Sequence, residues 1–155
     1  MWEGKLVSIH IGAKPAVPLD AVEQATVVPG KGIEGDRYFN GTGTWFNHPG
    51  GGREVTLIEI EAIEAIAQES GLKLETWQPR RNLVTRGVPL NHLVGREFRI
   101  GEVRLKGLRL CEPCNHMEGL TQAGVKAALM HRAGLRAEAL SGGTVRVGDI
   151  IKWRS

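Results

Sequence analysis

Arg99-Ile100-Gly101-Glu102-Val103 returns near the end of the chain as Arg146-Val147-Gly148-Asp149-Ile150. Each copy reads as a strand, a Gly-acidic turn and a second strand. Two copies of one hairpin argue a barrel-like sheet built from repeated hairpins, and two copies are too few for a solenoid. Outward from the first copy, residues 103–110 continue as a strand that ends at Cys111-Glu112-Pro113-Cys114, followed by Asn115 and His116.

The flanking sequence supports the same architecture. Residues 5–11 place Leu6, Val7, Ile9 and Ile11 around polar neighbours, and residues 21–28 resume as a second strand ended by Pro29-Gly30. Residues 29–52 hold eight glycines, and a loop of that length is usually functional or mobile. Inside it, Gly32-Ile33-Glu34-Gly35-Asp36-Arg37 reads either as a tight turn with a solvated ion pair or as a rim loop aiming Arg37 at a pocket. Residues 53–58 form a strand. Ile60, Ile63, Ile66 and Ala67 then recur at helical spacing over 59–70, with Gly71 where a C-terminal cap belongs. This helix is expected to cover one face and carry no chemistry. Residues 79–85 pair a basic doublet with a short apolar strand, 88–93 read as a turn or one helical turn, and 124–131 as a short helix. A last strand spans 135–140, ahead of the Gly142-Gly143 turn. The fold class is therefore mainly β: a closed or nearly closed barrel with one long helix and one or two short ones. A doubly wound sheet would need a helix after each strand.

At 155 residues the chain reads as one domain over 1–155. The net charge of +3 suits an anionic ligand and is too small to argue nucleic acid. No apolar run approaches a membrane span and no leader pattern opens the chain. The expected compartment is the cytoplasm, where thiols stay reduced.

Four readings compete for Cys-Glu-Pro-Cys. A thioredoxin-type dithiol has this spacing but belongs early in a βαβ frame. Zinc held by Cys111, Cys114 and His116 would want a second spaced pair, and His10, His48, His92 and His131 are scattered. Two buried thiols acting as small hydrophobes fit Cys111 better than Cys114. The fourth reading is a nucleophile or soft-metal ligand, whose thiolate nearby guanidinium groups would favour. Pro113 cannot extend a sheet ladder, so the chain should swing out there, with Cys114 accessible at the mouth of a cleft and Cys111 more buried. Of Arg80 and Arg81, strand alternation should send one to solvent, and Arg81 has the better claim to the inside.

Taken in order, Gly35-Asp36-Arg37, Val55-Thr56-Leu57-Ile58 leading into its helix, Arg81-Asn82-Leu83 and residues 95–101 resemble a MOSC domain, the module at the C-terminus of molybdenum cofactor sulfurases. Pro113-Cys114, Gly142-Gly143 and Val147-Gly148-Asp149 extend the resemblance over roughly residues 5–153. It implies a stand-alone MOSC protein with a β-barrel of the pyruvate-kinase type. It implies molybdenum cofactor (Mo-molybdopterin) held by Cys114, which is the metal ligand and the catalytic group. Arg37, Arg81, Asn82, Asp36 and His116 are then the cofactor-binding residues, with the arginines meeting an anionic pterin phosphate.

The implied activity is molybdoenzyme chemistry such as reduction of N-hydroxylated small molecules. The alternative is a sulfur carrier holding a persulfide on Cys114, with no turnover of its own, and a third option is a barrel whose site has lapsed. Cys111 occurs only in some branches of the family and carries no essential role. The chain shows no domain for pyridoxal phosphate, no cysteine cluster for an iron–sulfur centre and no flavin or nicotinamide fingerprint. Electrons or sulfur are therefore expected from a separate protein, with neither nucleic acid nor membrane as partner. Arg37-Tyr38 stands where many relatives have a histidine.

Overall fold

A computed structural model describes residues 1–14, 16–39 and 54–154. Most of the glycine-rich stretch, with His48 and Arg53, lies outside the described residues.

The chain opens with β1 (Glu3–Ile11), which bends enough to pair with three partners: β2 (Asp20–Val22), β6 (Leu83–Arg86) and β11 (Ile150–Trp153). A register shift between Leu6 and Ser8 lets it turn from one to the next. The helix α1 (Ile60–Ser70) joins β5 (Val55–Glu59) to β6, which run parallel, as a crossover of this kind requires. The hairpin of β7 (Glu97–Ile100) and β8 (Val103–Leu110) follows, and β9 (Leu135–Ala139) pairs with both β8 and β5. Among the described residues the ring β1-β6-β5-β9-β8-β7-β11 closes on itself, a seven-strand barrel. The mainly β barrel expected from the sequence is the observed fold.

Alternation within these strands fills the barrel with Leu6, Ile9, Leu57, Phe98, Leu105 and Ile151, each at most 1% exposed. A 3-10 turn (Leu90–Leu93) adds Leu90 and Leu93 to the same core. The helix α1 lies outside the barrel. Its Ile63 packs with Ile58 and Val84, and its Ala62 and Ile66 pack with Met117, Val125, Leu129 and Ala133. Gly71, at φ +68°, caps α1 through its N–H to the Ala67 carbonyl. No helix among the described residues is long and apolar enough to cross a membrane.

Three local expectations need correction. Residues 21–28 are two strands: β2 stays on the barrel, while β3 (Gln24–Val28) leaves for a separate small sheet with β10 (Gly143–Arg146) and β4 (Gly32–Ile33). The switch falls at Glu23, whose carbonyl takes the Val147 N–H. The second sequence copy is no hairpin, because β10 and β11 belong to different sheets. The two copies are instead neighbours. Ile100 pairs with Ile151 across β7 and β11, and Gly101 N–H donates to the Ile150 carbonyl at 2.9 Å. The expected helix over 124–131 is shorter, α3 (Val125–Ala128), with His131 at φ +66° in the turn beyond it.

Candidate functional site

The site is assembled where β8 ends. Cys111 stays in the fold, 1% exposed, with its N–H bonded to the Gly134 carbonyl at 2.8 Å. Pro113 is buried, yet no turn follows. The chain runs extended through Cys114 (φ −138°, ψ 174°) into α2 (Asn115–Leu120), a six-residue helix absent from the sequence reading. Cys114 is its N-cap residue and its carbonyl takes the Glu118 N–H at 3.1 Å. Cys114 is half-buried and packs against the cluster of Ile66, Met117 and Leu129, and both cysteines are free thiols. The two thiols thus differ in burial in the expected sense. His116 is half-buried in the first turn of α2.

Glu112 ties this segment to the turn after α3. One carboxylate oxygen takes the His131 N–H at 2.8 Å and the other lies 2.6 Å from His131 Nδ1. Glu118 does the same for α2, accepting the N–H groups of Gly124 and Lys126 at 3.2 and 3.0 Å. A short helix that could not persist alone is therefore held by side-chain acceptors and by Met117, 4% exposed.

Arg81 is buried against this segment. Its Nε donates to the Ala133 carbonyl at 2.8 Å, Nη2 to Cys111 at 2.9 Å and Nη1 to Pro79 at 3.2 Å. One guanidinium thus stitches the exit of β8 to the entry of β9 and to its own loop. Burial pushes Arg81 down from the ordinary arginine value. The Cys111 thiol opposes that, Arg136 adds to it, Cys114 opposes it again and Arg37 adds again. Arginine keeps its charge in proteins, so this charge stands within range of both thiols.

Arg80 is buried as well, which overturns the expectation that one of the doublet faces solvent: the two are 9% and 8% exposed. Strand alternation does not apply to them because β6 begins only at Leu83, and Arg80 has φ +62°. Arg80 Nη1 donates to the Val17 carbonyl, while Nη2 is buried with no hydrogen-bond partner among the described residues. Burial, then the neighbouring Arg37, pull Arg80 down to about 10, with Asp36 opposing. Sequence reasoning assigned Arg80 to solvent by strand alternation, and a left-handed backbone cannot be read from its place beside Arg81.

Arg37 reaches the same point from the other side, donating through Nη2 to the Arg80 carbonyl at 3.3 Å and through Nη1 to Asp36 at 3.2 Å. Asp36, 3% exposed, also accepts the Gly12 N–H at 3.1 Å. The Gly32–Arg37 hexapeptide therefore carries a largely buried ion pair, where a solvated one was one of its two readings. Asn82 ties strands together: its Oδ1 accepts from the Thr56 N–H and hydroxyl at 3.2 and 3.1 Å, and its Nδ2 donates to the His10 carbonyl at 3.2 Å.

The structure thus gathers Arg37, Asp36 and Arg80 by contact, while Arg81, next in the chain, holds the Cys111 carbonyl three residues before Cys114. It commits the Asn82 side chain to β1 and β5. Among the described residues no three His, Cys, Asp or Glu side chains gather as a metal cage. A cavity lined by Ile11, Ala25, Thr26 and Glu34 opens beside the Asp36 turn.

The sequence profile of the MOSC domain matches residues 46–152. Among solved structures, the YuaD protein from Bacillus subtilis superposes with a TM-score of 0.81 at 17% identity, covering 99% of this chain and 100% of that one. YiiM from Geobacillus stearothermophilus gives 0.75 at 13% identity, covering 98% of this chain and 75% of its own. YiiM from Escherichia coli gives 0.70 at 16%, with coverage of 100% and 70%. A search of curated proteins finds no match. These likenesses establish the fold, and the profile match over more than half of the sequence establishes the family: the chain belongs to the MOSC domain family, which is associated with the molybdenum cofactor.

Proposed function

We propose that the chain binds molybdenum cofactor through the Cys114 thiolate and takes part in molybdoenzyme chemistry of the kind that reduces N-hydroxylated small molecules. The observation that carries this is the company of the half-buried thiol. Three guanidinium groups, Arg37, Arg80 and Arg81, gather around one carboxylate, Asp36, and Arg81 holds the Cys111 carbonyl three residues before the thiol. Such a surplus of cations favours a bound anion.

The donor set fits an anionic metal–pterin. One soft sulfur suits molybdenum bound mainly by its own pterin, where a protein-only metal cage would need several ligands. Among the described residues Arg80 Nη2 is a buried donor without an acceptor, and such a group is costly unless something charged or polar completes it. When bound, the cofactor supplies two-electron oxidation–reduction at the metal. The residues of the chain do the rest: Cys114 would hold the metal, Arg37 and Arg80 would face the anionic ligand, and Arg81 would keep the Cys114 segment in place. His116, two positions beyond the thiol on α2, is the nearest imidazole in sequence for contact with the cofactor. Reducing equivalents would come from a separate redox protein.

Anaerobic reconstitution followed by elemental analysis and pterin fluorescence tests this. Wild-type protein should retain molybdenum and pterin, and Cys114→Ala should lose at least most of the molybdenum. Equal retention by both proteins would sink the reading. Cyanide-releasable sulfur on Cys114 without bound pterin would support the sulfur-carrier alternative instead.

A further inference from the structure

Arg109 and Arg136 stand directly opposite one another across β8 and β9. Their pairing is made by a register irregularity: Gly107 opposes Ala137, and the next partner of Arg136 is Arg109, so Leu108 is the extra residue. Without it, Leu108 would face Arg136. Bulges of this kind re-aim side chains, often next to functional sites. Gly107 stands beside the shift, and an added Cβ there would lie 2.1 Å from the Leu93 carbonyl oxygen.

Directly opposed residues share one face of a sheet, and like charges there are destabilising. Neighbouring charges on this wall are answered: Arg104 pairs with Glu97 at 3.6 Å, and Glu138 stands opposite Lys106. Among the described residues neither Arg109 nor Arg136 has a carboxylate within ion-pair distance. Residues 40–53 contain no Asp or Glu that could supply one. Arg136 is half-buried and Arg109 exposed, so the pair can be reached by a ligand from solvent.

We infer that Arg109 and Arg136 form a binding site for a phosphate-class dianion on the outer barrel wall. Two forked guanidinium groups about 5 Å apart at their Cβ atoms match the several acceptor oxygens of a phosphate monoester or free phosphate. The wall is continuous with the site described above. Arg136 opposes Thr56, which is bonded to Asn82, and the charge of Arg136 is felt at Arg81. A phosphate carried by the pterin and a free phosphate share this chemistry. The first source rests on the proposed cofactor binding, and the second does not.

Calorimetric titration with inorganic phosphate, with chloride at equal ionic strength as control, tests the pair without the cofactor. Wild-type protein and Cys114→Ala should both bind phosphate, and Arg109→Gln and Arg136→Gln should bind it at least tenfold more weakly. In low salt without phosphate, Arg109→Gln should melt above wild type, since it removes the repulsion, and phosphate should erase that difference. Arg109→Lys, which keeps the charge and loses the fork, should fall between. Displacement of phosphate by a pterin phosphate but not by the dephosphorylated pterin identifies the cofactor as the source; no displacement by either identifies free phosphate. The inference is overturned if wild type shows no phosphate binding beyond the chloride control, or if both glutamine variants bind phosphate as wild type does. Loss of cofactor binding by Cys114→Ala leaves this result untouched, so the two readings fail separately.

Discussion

Buried polar residues around the site divide into those well supplied with partners and those without. Arg81 bonds carbonyls just beyond β8 and just before β9, and Asn82 bonds β1 and β5, whereas among the described residues Arg80 Nη2 and His10 Nδ1 are buried without a partner. His10 is 2% exposed, its Nε2 lies 2.9 Å from Ser8 Oγ, and its backbone carbonyl anchors Asn82. Burial lowers its pKa from 6.5, so the folded state prefers the neutral ring. Protons then bind more readily to the unfolded chain between the folded value and 6.5, and stability must fall as pH drops through that range. Above 6.5 the contribution is fully present. Urea unfolding from pH 7.5 downward should show this loss in wild type and a smaller one in His10→Gln, which keeps an acceptor or donor toward Ser8. Parallel pH profiles for the two proteins would refute the assignment.

At the scale of elements, the site depends on how closely β9 enters against β5. Gly134 sits at φ +121°, and a Cβ there would lie 2.0 Å from the Leu57 carbonyl oxygen. Its carbonyl also holds the Cys111 N–H, so this contact and the exit of β8 move together. Gly134→Ala should destabilise by at least about 2 kcal/mol from backbone strain and crowding, and should speed alkylation of Cys111, which is 1% exposed. Gly95→Ala is the matched control: its φ is +76° but nothing lies within 4 Å of the added Cβ, so only strain of about 1 kcal/mol is expected. Chemical denaturation separates them, and equal losses would show that the close approach to Leu57 is unimportant. The same scale explains α2. Six residues have little helical preference of their own, and Glu118, Met117 and the packing of α1 and α3 hold them.

The whole molecule is stabilised by closure. The last strand, β11, pairs with both β1 and β7, buries Ile151 completely, and presents Trp153 to the Arg96 guanidinium at 4.9 Å. Closed barrels have no free edges, and removing one strand exposes two at once. A chain ending at Asp149 should therefore lose its cooperative thermal transition, followed by circular dichroism. A sharp transition at the wild-type midpoint would mean that β11 is dispensable. Closure also brings residues from the first and last thirds of the chain to neighbouring positions, as where Leu6 N–H bonds the Asp149 carbonyl at 2.9 Å.

The sequence by itself determined the strands of the barrel, the long helix and its glycine cap, the family, and the end of β8 at Leu110, just before Cys111. Those features rest on local patterning: alternation, helical spacing and the backbone freedom of single glycines. Tertiary structure decided what local patterning does not encode. The two similar sequences lie side by side through β7 and β11, and the second is no hairpin because β10 pairs with β3 in the other sheet. Both arginines of the doublet are buried because the backbone ahead of β6 is not extended, so alternation does not govern them. Arg109 meets Arg136 because a bulge beside Gly107 shifts the register by one residue, and register is set by the partner strand.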